Sequence, residues 1–410
     1  MNWLWDLNPE LVAIVVFAGI AGVGGWLHAA ALALFGALGL MASLVLYLWQ
    51  RTCLVGLAYS RRLSQHRAEF GEHVTLESEL VNDKLLPLPW IRVTDVVPER
   101  LDFPGLSVEH REEEGDRALL QAFSLLPFQR SLRRIEIVCD HRGRHLFGGS
   151  EVRSGDPLGL RHRVARQERA DELVVYPKIL AVPPLDLAAR TPIGERRARS
   201  LLLADPTRIA GMRQYRAGDP LRHVDWRATA RSGELLVRDF EATTNPRVAV
   251  FFDLDQSGSE GAEEAREFSL SLAASFVVHF GGKGLPVGLF GPGLADGDPV
   301  AADPSSAPDA IGRMLELLAL CEPDPQANLA GVLNLESRRL RRQALVLVIS
   351  SRFSPTVLGV LAEVRRRAPV TALFVDGPGS LAPPAGTVDA ILRTERPRDW
   401  RRSDALALTE

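Results

Sequence analysis

The feature that most constrains this chain is a long apolar run near its amino terminus. From Leu11 to Trp49 the sequence is almost entirely Ala, Val, Leu, Ile, Gly and Phe, and His28 is the one strongly polar side chain inside it. A membrane-spanning helix takes about 20 apolar residues, so this run is long enough for two. Gly24 and Gly25 divide it, because paired glycines end a helix. We therefore expect a transmembrane α-hairpin over residues 1–52.

The composition of this hairpin supports close packing and indicates its orientation. Small residues let two spans approach each other, and both halves contain glycines: Gly19, Gly22, Gly36 and Gly39. A signal peptide and a buried globular hairpin are the alternatives, but the start MNWLWDLNPE has no Lys or Arg. Basic residues follow the second half, so the positive-inside rule places the bulk of the chain in the cytoplasm. These residues are Arg51, Arg61, Arg62 and Arg67.

Overall composition excludes several classes of function. The net charge of −3 over 410 residues provides no general attraction to nucleic acid. Cys53, Cys139 and Cys321 are far apart and odd in number, which argues against a disulfide framework or a zinc site and suits a reducing compartment. We expect no nucleic-acid partner and a cell-membrane protein whose bulk is cytoplasmic.

Residues 63–180 are predicted to form an all-β, sandwich-like module. Short segments alternate between apolar and polar residues, and Pro and Gly separate them. No nucleophile–base pair is evident, so a spacer or a docking surface is the simplest role. The predicted strands are 70–80, 90–97, 118–125, 131–139, 148–153 and 173–176.

A dense charge motif follows within residues 181–246, which begin as a Pro- and Arg-rich linker. It reads RQYRAGDPLRHVDWRATARSGELLVRDF from Arg213 to Phe240. Asp219 is a good N-cap and Pro220 suits the first helical position, so we predict a helix from there to Arg231. Gly233 can provide a left-handed C-cap. A strand over 235–240 is expected next.

Two interpretations of these charges stay open. The motif is either a recognition surface for a protein or an anionic group, or an ion-pair network that clamps the segment onto the next domain with Trp226 as its apolar anchor. Arg and Asp alternate along it and pair readily. No activated Ser, Cys or Lys lies within it, so a catalytic role is not expected.

The motif resembles the signature of the family called domain of unknown function 58. The matching positions are Arg213, Tyr215, Gly218, Asp219, Arg222, Asp225, Trp226, Ala230, Arg231, Phe240 and Glu241. A two-span anchor, a β module that ends in Gly155-Asp156-Pro157, and Val175-Tyr176-Pro177 are similar to that family's layout. The resemblance implies a protein that works with a MoxR-type AAA+ ATPase in a chaperone-like system.

Residues 247–394 are predicted to form a doubly wound α/β domain, followed by a tail over 395–410. The segment 247–252 is apolar on both faces, as a central parallel strand is, and predicted helices and strands then alternate. Ligands bind such sheets beyond the carboxyl ends of the strands. Asp255, Ser257 and Ser259 follow the first strand there.

Asp255, Ser257 and Ser259 form an Asp-x-Ser-x-Ser pattern that resembles the metal site of von Willebrand A-type domains. The resemblance implies a von Willebrand A-like fold with oxygen ligands for Mg²⁺ or another divalent cation. Two further ligands of that site do not match here. Ala327 or Asn328 replaces a threonine, and Ser351, beside Arg352, replaces an aspartate.

The leading hypothesis is a membrane-anchored, cytoplasm-facing protein-interaction or assembly factor. A metal-dependent, integrin-like receptor is the alternative. An envelope hydrolase is the least favoured class, because the sequence has no phosphate-binding loop, nucleophile elbow or zinc motif. We therefore expect no enzyme activity.

Overall fold

The computed structural model describes residues 9–105, 108–110, 117–157, 159, 161–183, 204–215, 224–242, 247–255, 261–324, 326–339 and 344–409. The chain divides into two compact units, Met1–Val175 and Tyr176–Glu410. Each unit has its own hydrophobic core and is described separately below.

The first unit begins with two apolar helices, α1 (Pro9–Trp26) and α2 (Ala30–Thr52). The chain turns between them at His28, which has a positive φ of 49°. The helices approach closely at glycines: a Cβ added to Gly24 would lie 2.4 Å from Ala33 N, and one added to Gly36 would lie 2.4 Å from Ala21 N. The predicted close packing is present. However, it uses Gly24 in place of the expected Gly19 and Gly22, which face open space.

Helix α2 is long and apolar enough to cross a membrane. Its 23 residues extend about 35 Å at a rise of about 1.5 Å per residue, which exceeds the hydrocarbon core of about 30 Å. The apolar part of α1 is shorter, and α2 is the one helix that meets the length requirement among the residues described.

A β-rich module completes the first unit. It contains three sheets: β1-β3-β7, β10-β9-β4-β6-β5 and β2-β11-β8. The six predicted strands are present, and β1, β2, β5, β8 and β10 are additional. The strands are β1 (Leu57–Leu63), β2 (Arg67–Ala68), β3 (His73–Asn82), β4 (Leu88–Val97), β5 (Val108–His110), β6 (Arg117–Leu125), β7 (Arg130–Val138), β8 (Gly143–Phe147), β9 (Ser150–Gly155), β10 (His162–Gln167) and β11 (Asp171–Val175).

A polar cluster lies inside this module between the sheets. Asp95 on β4 is fully buried. It accepts hydrogen bonds from the Tyr59 hydroxyl (2.7 Å), the Ser150 hydroxyl (2.6 Å) and the Gln121 amide (3.2 Å). The Arg61 guanidinium also contacts it at 3.4 Å. Because Tyr59 and Arg61 lie on β1 and the other groups lie on the five-stranded sheet, the cluster connects two sheets.

Arg61 is therefore a structural residue. It is buried, and it also contacts Asp171 at 3.3 Å and donates to the carbonyl of Gly148 at 2.8 Å. In the sequence analysis it was one of the four basic residues after the apolar run that indicate the orientation in the membrane. Arg62 and Arg67, in contrast, are exposed.

The second unit contains a β-hairpin with a short helix and an α/β domain. The hairpin pairs β12 (Ala204–Gln214) with β13 (Leu236–Ala242) in antiparallel fashion, and α3 (Trp226–Ser232) lies between them in sequence. We call these three elements the signature hairpin. Strand β13 matches the predicted strand, whereas β12 was missed within the predicted linker.

The α/β domain contains one mixed sheet with helices on both faces. Its strand order is β16-β15-β14-β18-β19-β20, with β17 beside β15. The elements are β14 (Arg247–Phe252), α4 (Ala262–Gly282), β15 (Val287–Ala295), β16 (Asp298–Ser305), α5 (Ala310–Ala319), β17 (Cys321–Pro323), α6 (Leu329–Glu336), β18 (Ala344–Ser350), α7 (Pro355–Arg365), β19 (Val370–Asp376), β20 (Ala390–Glu395) and a 3₁₀ turn, Trp400–Arg402.

Strand β14 lies at the centre of this domain and is buried on both faces. Val248 and Val250 pack into the core that contains α4 and α5, whereas Ala249 and Phe251 pack into the core that contains α6 and α7. The predicted two-sided burial of this strand is confirmed. Strand β15 pairs with β14 in parallel and with β16 in antiparallel fashion.

The carboxyl-terminal segment is part of the domain. Trp400 and Leu406 are buried in the core, and Thr409 exchanges backbone hydrogen bonds with Arg393 on β20. The predicted tail therefore packs against the sheet edge. Its scattered apolar residues gave no periodic signal.

Candidate functional site

The signature hairpin holds its helix in place with specific caps. The Asp225 carboxylate accepts hydrogen bonds from the backbone amides of Arg227 and Ala228, both at 3.0 Å, so Asp225 is the N-cap of α3. It is buried. An N-cap residue satisfies amides that have no partner within the helix. Helix capping therefore accounts for the presence of Asp225 in the motif, and no bound ligand is needed to explain it.

The predicted start of this helix is wrong. Val224 forms a β-bridge with Val237, and Asp225 N donates to Leu236 O, so the chain is still extended at these positions. The helix begins at Trp226, six residues after the expected Pro220. The extended backbone at Val224 and Asp225 rules out one continuous helix from Pro220 to Arg231. Asp219, Gly218 and Arg222 lie outside the described residues.

The end of the helix was predicted correctly. Gly233 is the C-cap, with a φ of 74° in the left-handed region, and its amide donates to Thr229 O. The Thr229 hydroxyl accepts from Leu236 N at 3.1 Å, which ties the helix to β13. Tyr215, at the end of β12, donates its amide to Leu235 O at 2.8 Å. The helix is therefore attached to β13 through Asp225 and Thr229.

Trp226 is an exposed residue of the signature hairpin. Its side chain is 64% exposed, so it is not the apolar anchor that the clamp interpretation requires. Arg227 and Arg231 are exposed beside it on the same helix. No ion pair involves either arginine in the part of the chain that the structure describes. Arg213 lies on β12 opposite Val237.

A second group of polar residues lies at the carboxyl ends of the parallel strands. Asp253 directly follows β14, and its amide donates to Ile349 O on the neighbouring β18. One carboxylate oxygen accepts from Asp255 N at 3.0 Å, and the other accepts from the Ser350 hydroxyl at 2.7 Å. Ser350 Oγ in turn accepts from Arg352 N at 3.0 Å. The loops after β14 and β18 thus meet, as the sheet topology predicted.

Burial changes the protonation of Asp253. The side chain is almost completely buried, and this raises the pKa of its carboxyl to about 6, against the opposing effect of hydrogen bonds from Asp255 and Ser350. The nearby Asp255 carboxylate raises it further. Ionisation of a buried carboxyl is unfavourable unless a cation compensates the charge. The donors recorded for Asp253 are amides and a hydroxyl, all uncharged.

The described residues include only part of the expected metal site. Asp255 is exposed at the sheet edge, but both oxygens of Asp253 already accept hydrogen bonds. Asn328 uses its side-chain oxygen to cap α6, accepting from Gly331 N at 2.8 Å. Within the described ranges, no three His, Cys, Asp or Glu residues form a group able to hold a metal. Ser257 and Ser259 lie outside the described residues.

The outer face of the five-stranded sheet carries a groove. Its volume is about 820 Å³, and Thr94, Val96 and Leu120 are among the residues that line it. Three arginines line it together with Glu151, which contacts Arg166 at 3.1 Å and also contacts Arg153. This groove was not expected from the sequence, because its residues come from four strands whose order the sequence does not reveal.

The carboxyl-terminal part of the chain matches the sequence model of a protein family. The model described as "Protein of unknown function DUF58" matches residues 211–391. This range covers most of the signature hairpin and the α/β domain as far as β20. The resemblance that the sequence motif indicated therefore has support over this part of the chain.

A curated relative and several solved structures are also similar in part. The uncharacterized protein YeaD of Bacillus subtilis (strain 168) is 26% identical over 227 residues, which is 55% of this chain and 54% of that protein. The chain thus spans about half the length of this relative.

Among solved structures, the CARDB domain of the PF1109 protein from Pyrococcus furiosus covers 29% of this chain and 91% of its own, with 10% identity and a TM-score of 0.20. The major pilin SpaD from Corynebacterium diphtheriae covers 28% of this chain and 35% of its own, with 10% identity and a TM-score of 0.22. TM-scores this low carry no argument about fold or function.

Proposed function

We propose that this protein is a membrane-anchored platform that binds other proteins on the cytoplasmic side. We further propose that it acts as an assembly factor together with a MoxR-type AAA+ ATPase. The observation that carries the proposal is the exposed Trp226 on a helix that Asp225 and Thr229 attach to β13. Helix α2, which is long and apolar enough to cross a membrane, supports the anchor.

Trp226 has the properties of an interface residue. A large aromatic side chain gains much from burial, and Trp and Arg are enriched among the residues that dominate binding energy. Trp226 is not needed to cap α3, and it does not lie in a described core cluster. The exposed Arg227 and Arg231 add positive charge beside it, which suits an acidic patch on a partner.

The ATPase partner rests on the resemblance to domain of unknown function 58 proteins. The family match over residues 211–391 supports that resemblance. A von Willebrand A-like identity of the α/β domain belongs to the same proposal. It is supported by the sheet order, with the antiparallel β16 at one edge, and by Asp255 at the carboxyl edge. In such a domain this edge would be a second surface for partners.

A non-catalytic role agrees with the chemistry of the polar residues at the carboxyl edge of the α/β sheet. The Ser350 hydroxyl donates to the Asp253 carboxylate at 2.7 Å at this edge. Ser350 is completely buried, so a substrate cannot reach its oxygen. The pair is better suited to joining the loops after β14 and β18.

The topology proposed is two spans with the bulk of the chain cytoplasmic. The exposed Arg62 and Arg67 and the exposed Arg51 at the end of α2 support this side. Protease treatment of sealed inverted vesicles should digest the α/β domain, and treatment of right-side-out spheroplasts should leave it intact. The reverse pattern would exclude a cytoplasmic partner.

Cross-linking in cells followed by purification of the full-length protein tests the partner. We expect mass spectrometry to identify a MoxR-type ATPase with the wild type and with Leu335→Ala. Leu335 on α6 is a matched control because it is about as exposed as Trp226. We expect Trp226→Ala to lose the ATPase. If the ATPase is absent with the wild type, or is retained by Trp226→Ala, the proposal is wrong.

A metal-dependent receptor is the second candidate. It is favoured by the exposed Asp255 beside the buried Asp253, since two carboxyl groups at a sheet edge attract divalent cations. Titration calorimetry of the full-length protein with Mg²⁺ or Mn²⁺ tests it. Saturable binding that Asp255→Ala removes would support this function over the first.

A further inference from the structure

The membrane-proximal end of the β module carries exposed apolar side chains on three neighbouring segments. Val55 follows α2, Leu85 lies between β3 and β4, and Leu126 and Phe128 lie in the turn between β6 and β7. All four are between 65% and 77% exposed. We call these four residues the apolar rim. Single exposed apolar residues are ordinary, but several on adjoining loops mark an interaction surface.

Hydrogen bonds attach the rim to the end of α2. Lys84 donates from Nζ to the carbonyls of Thr52 at 2.8 Å and Val55 at 2.6 Å, and to that of Cys53. The last carbonyls of a helix have no partner within it, so a lysine there satisfies them and complements the helix dipole. Leu85, the next residue, is therefore held at the point where α2 ends.

The β6–β7 turn is attached at the same place. Phe128 N donates to Lys84 O at 3.3 Å, and Asn82 donates from its side chain to Leu126 O at 2.9 Å. These bonds place the two loops side by side. The rim is thus one continuous surface around the exit of a helix that is apolar enough to span a bilayer.

The backbone of Phe128 gives an independent indication. Its φ is 56°, in the left-handed region, which a bulky residue adopts at a cost and a glycine adopts freely. The turn itself does not require a phenyl ring, since the ring points into solvent. A strained position with a large exposed aromatic side chain suggests a role in binding.

We propose that the apolar rim inserts into the interfacial layer of the lipid bilayer and holds the β module against the membrane surface. This inference rests on the proposed membrane anchor. Aromatic and aliphatic side chains at the ends of membrane helices partition into this layer. The guanidinium of Arg51 lies over the Tyr47 ring at 5.1 Å, a basic and aromatic pair typical of the interface, within the last two turns of α2.

Site-directed spin labelling of the full-length protein in phosphatidylcholine–phosphatidylglycerol vesicles tests the proposal. The variants are Leu85→Cys and Phe128→Cys in the rim, Leu44→Cys in α2, and Leu146→Cys on β8 as an exposed control on the same module. The three native cysteines are buried, and labelled wild type gives the background. We expect labels at 44, 85 and 128 to collide more often with oxygen than with a water-soluble nickel complex, and the label at 146 to show the opposite.

The remaining outcomes overturn the proposal in distinguishable ways. If the label at 44 is in lipid while those at 85 and 128 resemble 146, the anchor stands and the rim does not bind lipid. If rim labels are shielded from both collision partners, another polypeptide covers the rim. If the label at 44 is also in water, the membrane anchor itself is wrong.

Discussion

Two buried aspartates, one in each unit, differ in how their charge is compensated. Asp95 in the β module contacts the Arg61 guanidinium and accepts from Tyr59, Ser150 and Gln121. Asp253 in the α/β domain accepts from Asp255 N and the Ser350 hydroxyl. Both side chains are nearly inaccessible to water. Asp95 has the buried cation of Arg61 beside it, whereas the donors to Asp253 among the described residues are neutral.

This difference in charge compensation indicates that Asp95 belongs to a structural site, whereas Asp253 lies at a candidate functional edge of the α/β sheet. A buried ion pair with further hydrogen bonds fixes the relative position of the two sheets that it joins. A buried carboxyl that is held by neutral donors ionises less readily, and burial raises the pKa of Asp253 to about 6. Perturbed groups of this kind concentrate at the binding edges of α/β sheets.

Asp95→Leu should have the largest effect on stability, because it removes the fully buried carboxylate that the Arg61 guanidinium contacts. Breaking a buried pair costs roughly 3–5 kcal/mol, a large part of the stability of a typical domain. We expect hydrogen exchange to be strongly accelerated throughout β3 and β4 in the detergent-solubilised protein. The double variant Asp95→Leu with Arg61→Met should recover part of the loss. Equal protection in Asp95→Leu and wild type would contradict the structural role of the cluster.

Asp253→Asn should increase the free energy of unfolding at neutral pH, whereas Asp95→Leu should decrease it. The folded state holds the proton more tightly than the unfolded state, whose pKa is about 3.9. Stability from this group is therefore full below about pH 4 and is lost as the pH rises through about 6. Two pKa units correspond to roughly 3 kcal/mol.

Asparagine removes this dependence while it can still accept from Asp255 N. We expect Asp253→Asn to be more stable than wild type at pH 7 by about 2–3 kcal/mol and equally stable at pH 4. Hydrogen exchange of peptides from β14 and β18 at both pH values measures this. A variant that is less stable at pH 7 would mean that a bound cation holds the Asp253 charge.

Asp225→Ala should have a smaller, local effect. Loss of an N-cap costs about 1 kcal/mol, and the change should be confined to α3 and its contact with β13. Asp225→Ser keeps an acceptor and should retain most of the protection. Hydrogen exchange of the peptide that contains α3 reports the difference. If alanine and serine variants behave alike, the cap does not stabilise the helix.

Trp226→Ala should have the smallest effect on stability, within about 0.5 kcal/mol, because the side chain is exposed. Thermal unfolding should coincide with that of wild type and of Leu335→Ala. A clear loss of stability would return the residue to the anchoring role that the charge pattern first suggested.

The sequence predicted the elements with strong periodicity and missed those that depend on partners. The two amino-terminal helices, α1 and α2, and the central strand β14 were predicted from unbroken apolar runs. The antiparallel β16 contains Asp298 and Pro299 and shows no apolar alternation, so its pairing with β15 could not be foreseen. Strand β12 similarly owes its conformation to β13.

The candidate site was predictable in composition and less so in geometry. Gly233 was identified because a left-handed cap requires little more than glycine in the right place. The start of the helix that ends at Gly233 was misplaced because the extended pairing of Val224 and Asp225 with β13 leaves no signal in the sequence. Asp253 lay outside the predicted ligand set of Asp255, Ser257 and Ser259, although its position directly after a fully apolar parallel strand is a usable signal.

The central claim is that Trp226 forms part of a protein-binding surface, and a direct binding measurement tests it. Full-length protein in lipid nanodiscs should bind the purified MoxR-type ATPase of the same organism saturably in biolayer interferometry. Leu335→Ala should match wild type, and Trp226→Ala should bind about 30-fold more weakly, as loss of a residue worth about 2 kcal/mol predicts. Equal affinities of all three proteins, or no binding by wild type, would contradict the account.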